Sequence, residues 1–338
     1  MSELASIIIV TYNCKDYMKA CLDSMLSQDY PHEIIIVDNA SEDGTVEYVK
    51  ENYPDILVVE TGSDLGYGRG NNIGVKSANG KYVVIINPDV IVSPGWLREL
   101  VTPLIGHPKK VTVPKSISWD GKQIYSAGLV LHPIGLCGST VYGLDSTELQ
   151  DVMDVTGISG VCFAMAKSSY QEIGGFDDNI FLYGEDLELS WKIFLNDYTA
   201  QLIPTAVIRH DWQSSVSPNK IYYIEWGRYY LLKKYYTKKD KLLLLPSMVL
   251  TEILAMSYAL SLGINGLKMQ RKARRDIRKM NIPYVKGNRK SLLLKLYPKL
   301  PPEIVEIRCP KIFRYTAIPI INAIYSINYV LYLKIKTS

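Results

Sequence analysis

The chain has few cysteines, and their positions exclude a disulfide-stapled scaffold. The five cysteines of the 338 residues show no CxxC pair and no spacing typical of metal ligands; they are Cys14, Cys21, Cys137, Cys162 and Cys309. Short secreted domains carry paired cysteines at regular spacings, which this sequence lacks. We therefore expect reduced thiols in a cytosolic compartment.

The sequence also lacks a leader segment, internal repeats and a disordered composition. The first predicted strand begins by Ser6, which leaves no room for a signal peptide, so we expect that the catalytic part is not secreted. No period of about 20 to 50 residues recurs, which excludes solenoids. With 47% hydrophobic residues, 21% charged residues and a net charge of +4, the chain is globular. Its length allows one large domain or two.

Four apolar runs rich in β-branched residues predict buried strands. They are ASIIIVT, EIIIVD, DILVVE and YVVIINPDV, at 5–11, 33–38, 55–60 and 82–90. Polar turns and segments with helical spacing of apolar positions separate them. This alternation predicts an α/β fold with a mostly parallel, Rossmann-like sheet flanked by helices. The carboxyl ends of parallel strands lie at one edge of such a sheet, and Tyr12, Asn13, Asp38 and Asp89 should meet there.

The run at 82–90 carries a carboxylate to that edge. Asn87, Pro88 and Asp89 directly follow five apolar residues, and Pro88 cannot donate a ladder hydrogen bond. Ligands bind outside the carboxyl ends of strands in open α/β sheets. Asp89 is therefore a candidate for holding a divalent metal under a diphosphate. The simpler alternative is an Asn-Pro-Asp turn after a strand.

A glycine-rich segment at 63–80 lies between two strands that end at the predicted site. It contains Gly66, Gly68, Gly70 and Gly74. Glycines before a short helix let backbone N–H groups approach an anion, although turns also use glycine for ordinary reasons. The position of the segment favours a binding role.

Two more candidates occur in the second half of the chain. Glu185 and Asp186 open a predicted helix, where carboxylates also occur simply as partners of the helix dipole. A strand-like segment at 199–210 ends at His210, and a single histidine at a strand end is usually structural. Between the two halves, residues 111–154 are less regular, and we expect an acceptor-facing hairpin or lid there.

Six motifs in a fixed order resemble a known family. They are IVTYN (9–13), VDNASEDGT (37–45), LGYGRGNNIG (65–74), YVVIINPDV (82–90), GGFDDNIFLYGEDLELSWK (174–192) and RHDWQSS (209–215). Together they resemble family 2 glycosyltransferases of the GT-A fold, most closely the rhamnosyltransferase-like branch that builds polysaccharides and glycolipids. The resemblance covers roughly residues 5–215. We expect a GT-A domain over 1–220 and a helical region over 221–338.

The resemblance implies a role for each matched residue. A nucleoside-diphosphate sugar donor would contact Thr11, Tyr12, Asn13, Asp38, Gly66, Asn71, Asn72, Asn87, Asp89 and Glu185. Asp89 and His210 would hold a divalent metal, Mn²⁺ or Mg²⁺, and Asp186 would be the general base. The metal compensates the charge of the leaving diphosphate, and one carboxylate takes the proton of the acceptor hydroxyl. An aspartate at its ordinary pKa of about 3.9 is ionised and ready at neutral pH.

Three positions depart from the family pattern. Asn87 replaces the first acid of the DxD pair, which leaves metal charge compensation to Asp89 and the diphosphate. Asp64 stands where the family often has Asn, and its charge is unfavourable near a diphosphate unless it points away or meets Arg69. Gln213 replaces the usual glycine after His210, which affects the expected backbone path there.

The C-terminal third has features of membrane attachment. The run at 242–264 is almost long enough to span a bilayer, but Glu252 at its centre costs roughly 3 kcal/mol on insertion scales. We expect this helix to lie in the membrane interface or to pack in a bundle. Residues 268–279 carry seven basic residues and one acid, typical of a solvated helix face or of attraction to anionic lipids. A second apolar stretch at 312–335 is interrupted by Pro319 and Asn322. Together these features predict monotopic attachment at the cytoplasmic face.

The predicted function is inverting, metal-dependent transfer of a sugar to a hydroxyl of a glycan, expected to be lipid-linked. An alternative enzyme transfers the sugar to a polyprenyl phosphate, whose anionic nucleophile makes Asp186 dispensable. A non-enzymatic alternative, suggested by Asn87, is a sugar-nucleotide-binding scaffold with a decayed site. We expect no nucleic acid partner, because the basic run has no accompanying aromatic-basic sheet pattern or helix-turn-helix signature.

Overall fold

The computed structural model describes residues 3–212, 217–287 and 289–337, so Gln213 lies outside the described residues. The strands are β1 (Ala5–Thr11), β2 (His32–Asp38), β3 (Leu57–Glu60), β4 (Tyr82–Ile86), β5 (Val90–Val92), β6 (Lys110–Ser118), β7 (Ile124–Ser126), β8 (Val130–Leu131), β9 (Cys137–Gly138), β10 (Met153–Val155), β11 (Cys162–Ala166) and β12 (Thr199–His210).

The helices alternate with the strands in the first half and follow one another after β12. They are α1 (Lys15–Leu26), α2 (Thr45–Asn52), α3 (Tyr67–Ser77), α4 (Trp96–Val101) with a 3₁₀ turn (Thr102–Leu104), α5 (Lys167–Glu172), α6 (Glu185–Leu195), α7 (Pro218–Tyr235), α8 (Lys238–Leu243), α9 (Leu245–Ser261), α10 (Gly263–Lys279), α11 (Lys290–Lys295), α12 (Pro302–Arg308) and α13 (Lys311–Thr337).

One mixed sheet organises the molecule. Its strand order is β10-β12-β6-β11-β4-β1-β2-β3, with β5 paired to β12 and β7 to β6. The longest pairings, β1 with β2 and β6 with β12, are parallel, whereas β11 runs antiparallel between β4 and β6. The predicted mostly parallel α/β sheet flanked by helices, followed by a helical C-terminal region, is confirmed.

The sheet is buried on both faces. Alternate residues of β1 enter opposite cores, because successive side chains of a strand point to opposite sides. Ile8 belongs to one hydrophobic cluster, whereas Ile7 and Ile9 belong to the other. The first cluster extends without interruption to C-terminal residues such as Tyr325 and Tyr329. The helices after β12 are thus packed against the same core as the sheet. The division into domains at residue 220 stays a prediction.

Three of the five glycines of the 63–80 segment, at positions 68, 70 and 74, lie inside α3, where they allow close packing of the helix. A Cβ atom at Gly70 would lie 2.8 Å from Val10 Cγ1, and one at Gly74 would lie 2.4 Å from Ile8 Cγ2. Real Cβ atoms do not approach so closely, so these positions require glycine. The segment is therefore a helix seated on β1, rather than a loop with a short helix start.

The irregular region at 111–154 contains five strands, which the sequence did not locate. Long β6 joins the sheet and carries the short β7 on its edge, while β8 and β9 form a separate two-stranded sheet. Likewise, the run at 82–90 divides at the Asn-Pro-Asp segment into β4 and β5, because Pro88 interrupts the strand.

The apolar C-terminal stretches form packed helices. The run at 242–264 divides into α8 and α9, and Glu252 of α9 is ion-paired with Arg228 (2.7 Å) and Arg274 (3.1 Å). Tyr229 also donates a hydrogen bond to Glu252. The central acid is thus compensated by the protein, which agrees with the expected helix in a bundle.

The second apolar stretch is not interrupted. Helix α13 continues through Pro319 for 27 residues. Among the described helices it is the one long and apolar enough to cross a membrane. Of its most apolar stretch of 18 residues, 28% is buried inside the protein. Three hydrogen bonds fix it to α9: the N–H and the hydroxyl of Ser247 both donate to Asn328 Oδ1, and Thr251 bonds with Tyr325.

Candidate active site

Asp89 and His210 are brought together by the pairing of β5 with the end of β12. Val90 lies opposite His210 in this antiparallel pair, and the N–H of Asp211 donates to the carbonyl oxygen of Asp89 (3.0 Å). His210 Nε2 consequently lies 3.3 Å from Asp89 Oδ2. The sequence predicted both strand ends, but the short β5 that joins them was not predicted.

The two acids at the start of α6 face the same cleft as this pair. The cleft has a volume of about 640 Å³, and its lining includes Asn87, Asp89, Glu185, Asp186 and His210. Helix α6 begins after Gly184 in the left-handed region (φ 107°), where a Cβ atom would lie 3.1 Å from Gly227 Cα. A glycine is needed at this position, and it allows the acids to enter the cleft from the first helical turn.

The residues at the strand ends suit a divalent cation. Oδ1 of Asp89 is buried and has no hydrogen-bond partner among the described residues, and the imidazole of His210 is 3.3 Å from the other oxygen. No group of three or more His, Cys, Asp or Glu side chains in the described chain is arranged for a metal. A cation here would have one carboxylate and one imidazole from the protein, and its remaining ligands would come from substrate and water.

Burial raises the pKa of Asp186, contrary to the ordinary value that we expected from the sequence. Its carboxylate accepts hydrogen bonds from the backbone N–H groups of Leu187 (2.7 Å) and Gly160 (3.4 Å), which only partly compensate the loss of water. Burial and the neighbouring charge of Asp186 raise the pKa of Glu185 to about 8. Oε2 of Glu185 has no partner among the described residues. An acid with a raised pKa is the better proton acceptor once ionised.

A second group of predicted residues lies at the ends of β1 and β2, where it holds one loop. Asp38 is buried and accepts from Thr11 Oγ1 (2.8 Å), Ser41 N (2.8 Å) and Ser41 Oγ (2.6 Å). Asn13 adopts φ 53°, and its Oδ1 accepts from Glu42 N (2.8 Å). Tyr12 is 52% exposed. The structure therefore places Thr11, Asn13 and Asp38 in a preformed loop network, with the Tyr12 ring open to a ligand.

Asn72 is not part of the cleft. Its Nδ2 donates to Phe176 O (3.0 Å) and Asp178 Oδ1 (2.8 Å), and its Oδ1 accepts from Tyr170 OH (2.6 Å). It thereby fixes the segment that leads to α6. Its neighbour Asn71 is fully buried and donates to Tyr67 O (3.0 Å).

Gly66 has a conformational role at the start of α3. Its φ is 81°, and a Cβ atom there would lie 2.2 Å from the carbonyl oxygen of Phe181. Its N–H donates to Asp64 Oδ1 (2.9 Å). Asp64, the acid that departs from the family pattern, thus stabilises the turn that precedes α3.

Sequence reasoning missed several residues of the cleft. Tyr17 OH donates to Asp211 Oδ2 (2.9 Å), and both line the cleft beside Asp89. Three aromatic rings form one wall: Tyr125 stacks on Tyr142 (5.9 Å), and Trp212 meets both edge-on. Asp211 and Trp212 belong to the RHDWQSS motif, so their position directly after His210 could have identified them. The two tyrosines come from the region whose elements the sequence did not show.

The C-terminal helices close the other side of the cleft. Its lining includes Lys220 and Arg228 from α7, Tyr258 from α9, and Glu303 and Arg308 from α12. These residues lie beyond the last recognised motif, and no local sequence signal pointed to them.

An α/β sheet with an acid–imidazole pair at its strand ends, and two acids of α6 facing the same cleft, is the arrangement expected of a glycosyltransferase. The model of "Glycosyl transferase family 2" matches residues 6–174, which is half of the chain. The chain belongs to this family, and the predicted family, fold and glycosyltransferase class are confirmed.

Relatives and solved structures agree with this assignment. An N-acetylglucosaminyl-diphospho-decaprenol L-rhamnosyltransferase of Mycobacterium tuberculosis is 25% identical over 236 residues, 62% of this chain and 76% of the relative. GalNAc-T7 with UDP, GalNAc and Mn²⁺ superposes with a TM-score of 0.60 at 18% identity, over 82% of this chain and 55% of that chain. The Pyrobaculum calidifontis mannosyltransferase PcManGT with GDP-Man and Mn²⁺ superposes with a TM-score of 0.52 at 17% identity, over 99% of this chain and 87% of that chain. At these identities the structural likeness shows the fold.

Proposed function

We propose that the protein transfers a sugar, with inversion, from a nucleoside-diphosphate sugar to a hydroxyl group of a lipid-linked glycan. The observation that supports this most is that Asp89, Asp186 and His210, far apart in sequence, line one cleft. The glycosyltransferase domain is residues 1–220, and residues 221–338 form the membrane-associating helical region.

The donor end of the cleft is the end at β5 and β12. Asp89 and His210 hold a divalent cation there, Mn²⁺ or Mg²⁺, and the partnerless Oδ1 of Asp89 supports this assignment. A cation held there would compensate the charge of the departing nucleoside diphosphate. Asn87 lines the same wall without adding charge. The named ligands of GalNAc-T7 and PcManGT, a nucleotide or nucleotide sugar with Mn²⁺, agree with such a site.

Asp186 is the general base at the other end. As the acceptor oxygen bonds to the anomeric carbon, the bond from that carbon to the diphosphate breaks, and Asp186 takes the hydroxyl proton. Its raised pKa favours the transfer. One carboxylate is sufficient because protonation of the diphosphate leaving group is not required, unlike glycoside hydrolysis, which uses two.

Exposed apolar side chains on α9 and α13 support attachment to a membrane surface. On α9 they recur at helical spacing, with Leu245, Val249, Ile253, Met256 and Leu260 all 45% to 59% exposed. A similar stripe follows α13, at Ile320, Ile324, Ile327, Leu331 and Ile335. Apolar area of this extent on a soluble surface is unusual, and it marks an interaction site.

The basic helix α10 follows directly on the apolar helix α9. Its buried side carries Gly266, Gln270, Ala273 and Ile277, whereas all seven of its basic side chains, between positions 268 and 279, are exposed. Near an anionic bilayer each such charge contributes about 1 kcal/mol. The five cysteines are free thiols, in keeping with a cytoplasmic face of the membrane as the place of action.

A donor screen tests the proposal. Purified full-length protein is mixed with UDP-, GDP- and dTDP-sugars with and without Mn²⁺, and thermal shift and release of nucleoside diphosphate are measured. We expect one donor to stabilise the protein only with the cation, and Asp89→Ala to abolish this dependence. The control is Asp16→Ala on the exposed side of α1. Cation-independent binding without any turnover would instead support a scaffold with a decayed site.

A further inference from the structure

We propose that the cleft contains a subsite for a phosphate group of the acceptor, formed by Lys220 and Arg308. The inference rests on the proposed function and narrows its acceptor to phosphorylated molecules. Both side chains line the cleft together with Asp186. Lys220 lies in the first turn of α7, and Arg308 is the last residue of α12, so both are supplied by the C-terminal helices.

The electrostatic contacts place these cations at the Asp186 end of the cleft. The charges of Arg308, Asp186 and Lys220 all act on the carboxyl group of Glu303. Charge from Asp89 acts instead on Cys14, Tyr17 and Cys21, at the end where β1 and α1 meet. The donor diphosphate is expected at Asp89, so the two cations are on the side from which the acceptor reaches Asp186.

Neither cation forms an ion pair with a carboxylate of the described residues. The nearby Glu303 compensates the two cations only in part. Its charge acts on both, but it is not within ion-pair distance of either, its Oε2 accepts a hydrogen bond from Ser139 N (2.6 Å), and burial raises its pKa. Lys220 instead lies over the Tyr183 ring (5.0 Å), and Arg308 over the Tyr258 ring (4.8 Å). Burial and the neighbouring Arg308 lower the pKa of Lys220. Two like charges held close together in a half-buried cleft are unfavourable until an anion joins them.

A phosphate linker fits this pair in charge and position. A sugar joined to a lipid through a diphosphate carries about two negative charges beside the sugar, and a guanidinium with an ammonium compensates them. Arg308 stacks on Tyr258 of α9, the helix whose apolar stripe is exposed. A lipid tail leaving the subsite along α9 therefore meets the surface that we assign to the membrane.

Binding of two matched acceptor analogues tests the subsite. The probes are N-acetylglucosamine joined to farnesol through a diphosphate and the same sugar joined through an ether, titrated into the full chain by calorimetry with excess EDTA. We expect the diphosphate probe to bind about 10- to 100-fold more tightly, the usual range for charge-assisted hydrogen bonds. Lys220→Gln and Arg308→Gln should each remove most of this difference, and Lys220→Arg should keep it. Lys19→Gln, at an exposed surface pair, is the control.

Affinity for the donor separates the possible outcomes. If the cations bind the acceptor, the Kd of the donor identified in the screen, measured with Mn²⁺, is unchanged in both glutamine variants. A matching loss of donor affinity would assign the pair to the donor diphosphate and overturn the subsite. Equal binding of the two probes by the unchanged protein would also overturn it. Failure of every nucleotide sugar to bind would instead contradict the proposed function itself.

Discussion

Helix α6 carries three acids in its first turn, and the surroundings of the first two differ from those of the third. Glu185 and Asp186, in the first turn, have raised pKa values, and Oε2 of Glu185 has no partner among the described residues. Glu188, three residues after Glu185, is fully buried as well, and its Oε2 also has no hydrogen-bond partner among the described residues. Unlike Glu185, however, it has a lysine within ion-pair distance of each oxygen, Lys234 at Oε1 (2.6 Å) and Lys192 at Oε2 (3.3 Å). The helix is the same, so the difference comes from what packs against each face.

The side of α6 that faces α7 provides cations and hydroxyl groups. Lys234 Nζ lies 2.6 Å from Glu188 Oε1 and 2.5 Å from Asp177 Oδ2. Tyr235 OH donates to Glu188, and Tyr230 OH donates to Asp177. Although burial acts in the opposite direction, the bond with Lys234 holds the pKa of Asp177 well below its usual range. This network fixes α7, and with it Lys220, against the sheet.

The comparison separates a stabilising acid from a reactive one. A buried carboxylate with cations beside it, such as Glu188 with Lys234 and Lys192, holds the fold together. A buried carboxylate that lacks them costs stability, and proteins keep such groups where a substrate supplies the missing partner. We therefore propose that Glu185 and Asp186 serve the reaction and that Glu188 serves the structure.

The largest expected effect follows removal of the base. Asp186→Asn keeps the shape of the side chain but cannot take a proton, so turnover should fall about 10²- to 10⁴-fold. Donor affinity should stay within twofold, because Asp186 is at the acceptor end. Single-turnover kinetics and calorimetry with the donor measure the two quantities. Undiminished transfer to a lipid phosphate would identify the polyprenyl-phosphate enzyme, since an anionic nucleophile needs no base.

The next largest effect is a loss of stability, expected on removal of Lys234, the cation beside Asp177 and Glu188. Lys234→Met leaves Asp177 buried without its cation and Glu188 with Lys192 alone. Loss of one partner of a buried pair costs about 3 to 5 kcal/mol of unfolding free energy. Denaturant titration measures it. Lys19→Met is the control, because its pair with Asp23 is exposed, and such pairs contribute about 1 kcal/mol or less. If Lys234→Met cost less than about 1 kcal/mol, Glu188 could no longer be distinguished from Glu185 and Asp186 as the structural acid of α6.

The sequence predicted the parts of this site that local patterns encode. Apolar runs located the strands, and parallel pairing then placed Asp89 at the sheet edge. The acids at 185 and 186 were correctly placed at a helix start, because Gly184 precedes an amphipathic run. These features depend on residues close together in the chain, which is the range over which periodicity and turn chemistry act.

Features set by distant packing were not predictable in this way. The side chain of Asn72 turns toward Phe176, about a hundred positions further along the chain, so its motif alone did not reveal its direction. The raised pKa of Asp186 depends on the burial of the assembled cleft. Lys220 and Arg308 reach the cleft only because α7 and α12 fold back over it, and no residue adjacent to them in sequence signals this.

The smallest effect tests the acid beside the base through the pH dependence of stability. Glu185 lies near Asp186 and the hydroxyl groups of Tyr67 and Tyr183. Burial and the charge of Asp186 raise its pKa, and no cation opposes them. Its pKa is about 8 in the folded protein, against an ordinary value of 4.5. Between these values the folded state binds more protons than the unfolded state, so this group makes stability fall as pH rises. Below the ordinary value both states are protonated, and the contribution is fully present.

Glu185→Gln resembles the protonated acid at every pH and should remove this loss. We expect Tm values within about 1 °C of each other near pH 5 and a variant more stable by about 3 to 5 °C near pH 8, a shift that corresponds to roughly 2 to 4 kcal/mol for a chain of this length. Glu188→Gln is the matched comparison, and it should lower Tm at pH 8 because it weakens the contact with Lys234. If both variants moved Tm in the same direction at pH 8, Glu185 and Glu188 would have equivalent surroundings. The unpaired acids could then no longer be assigned to the reaction on electrostatic grounds.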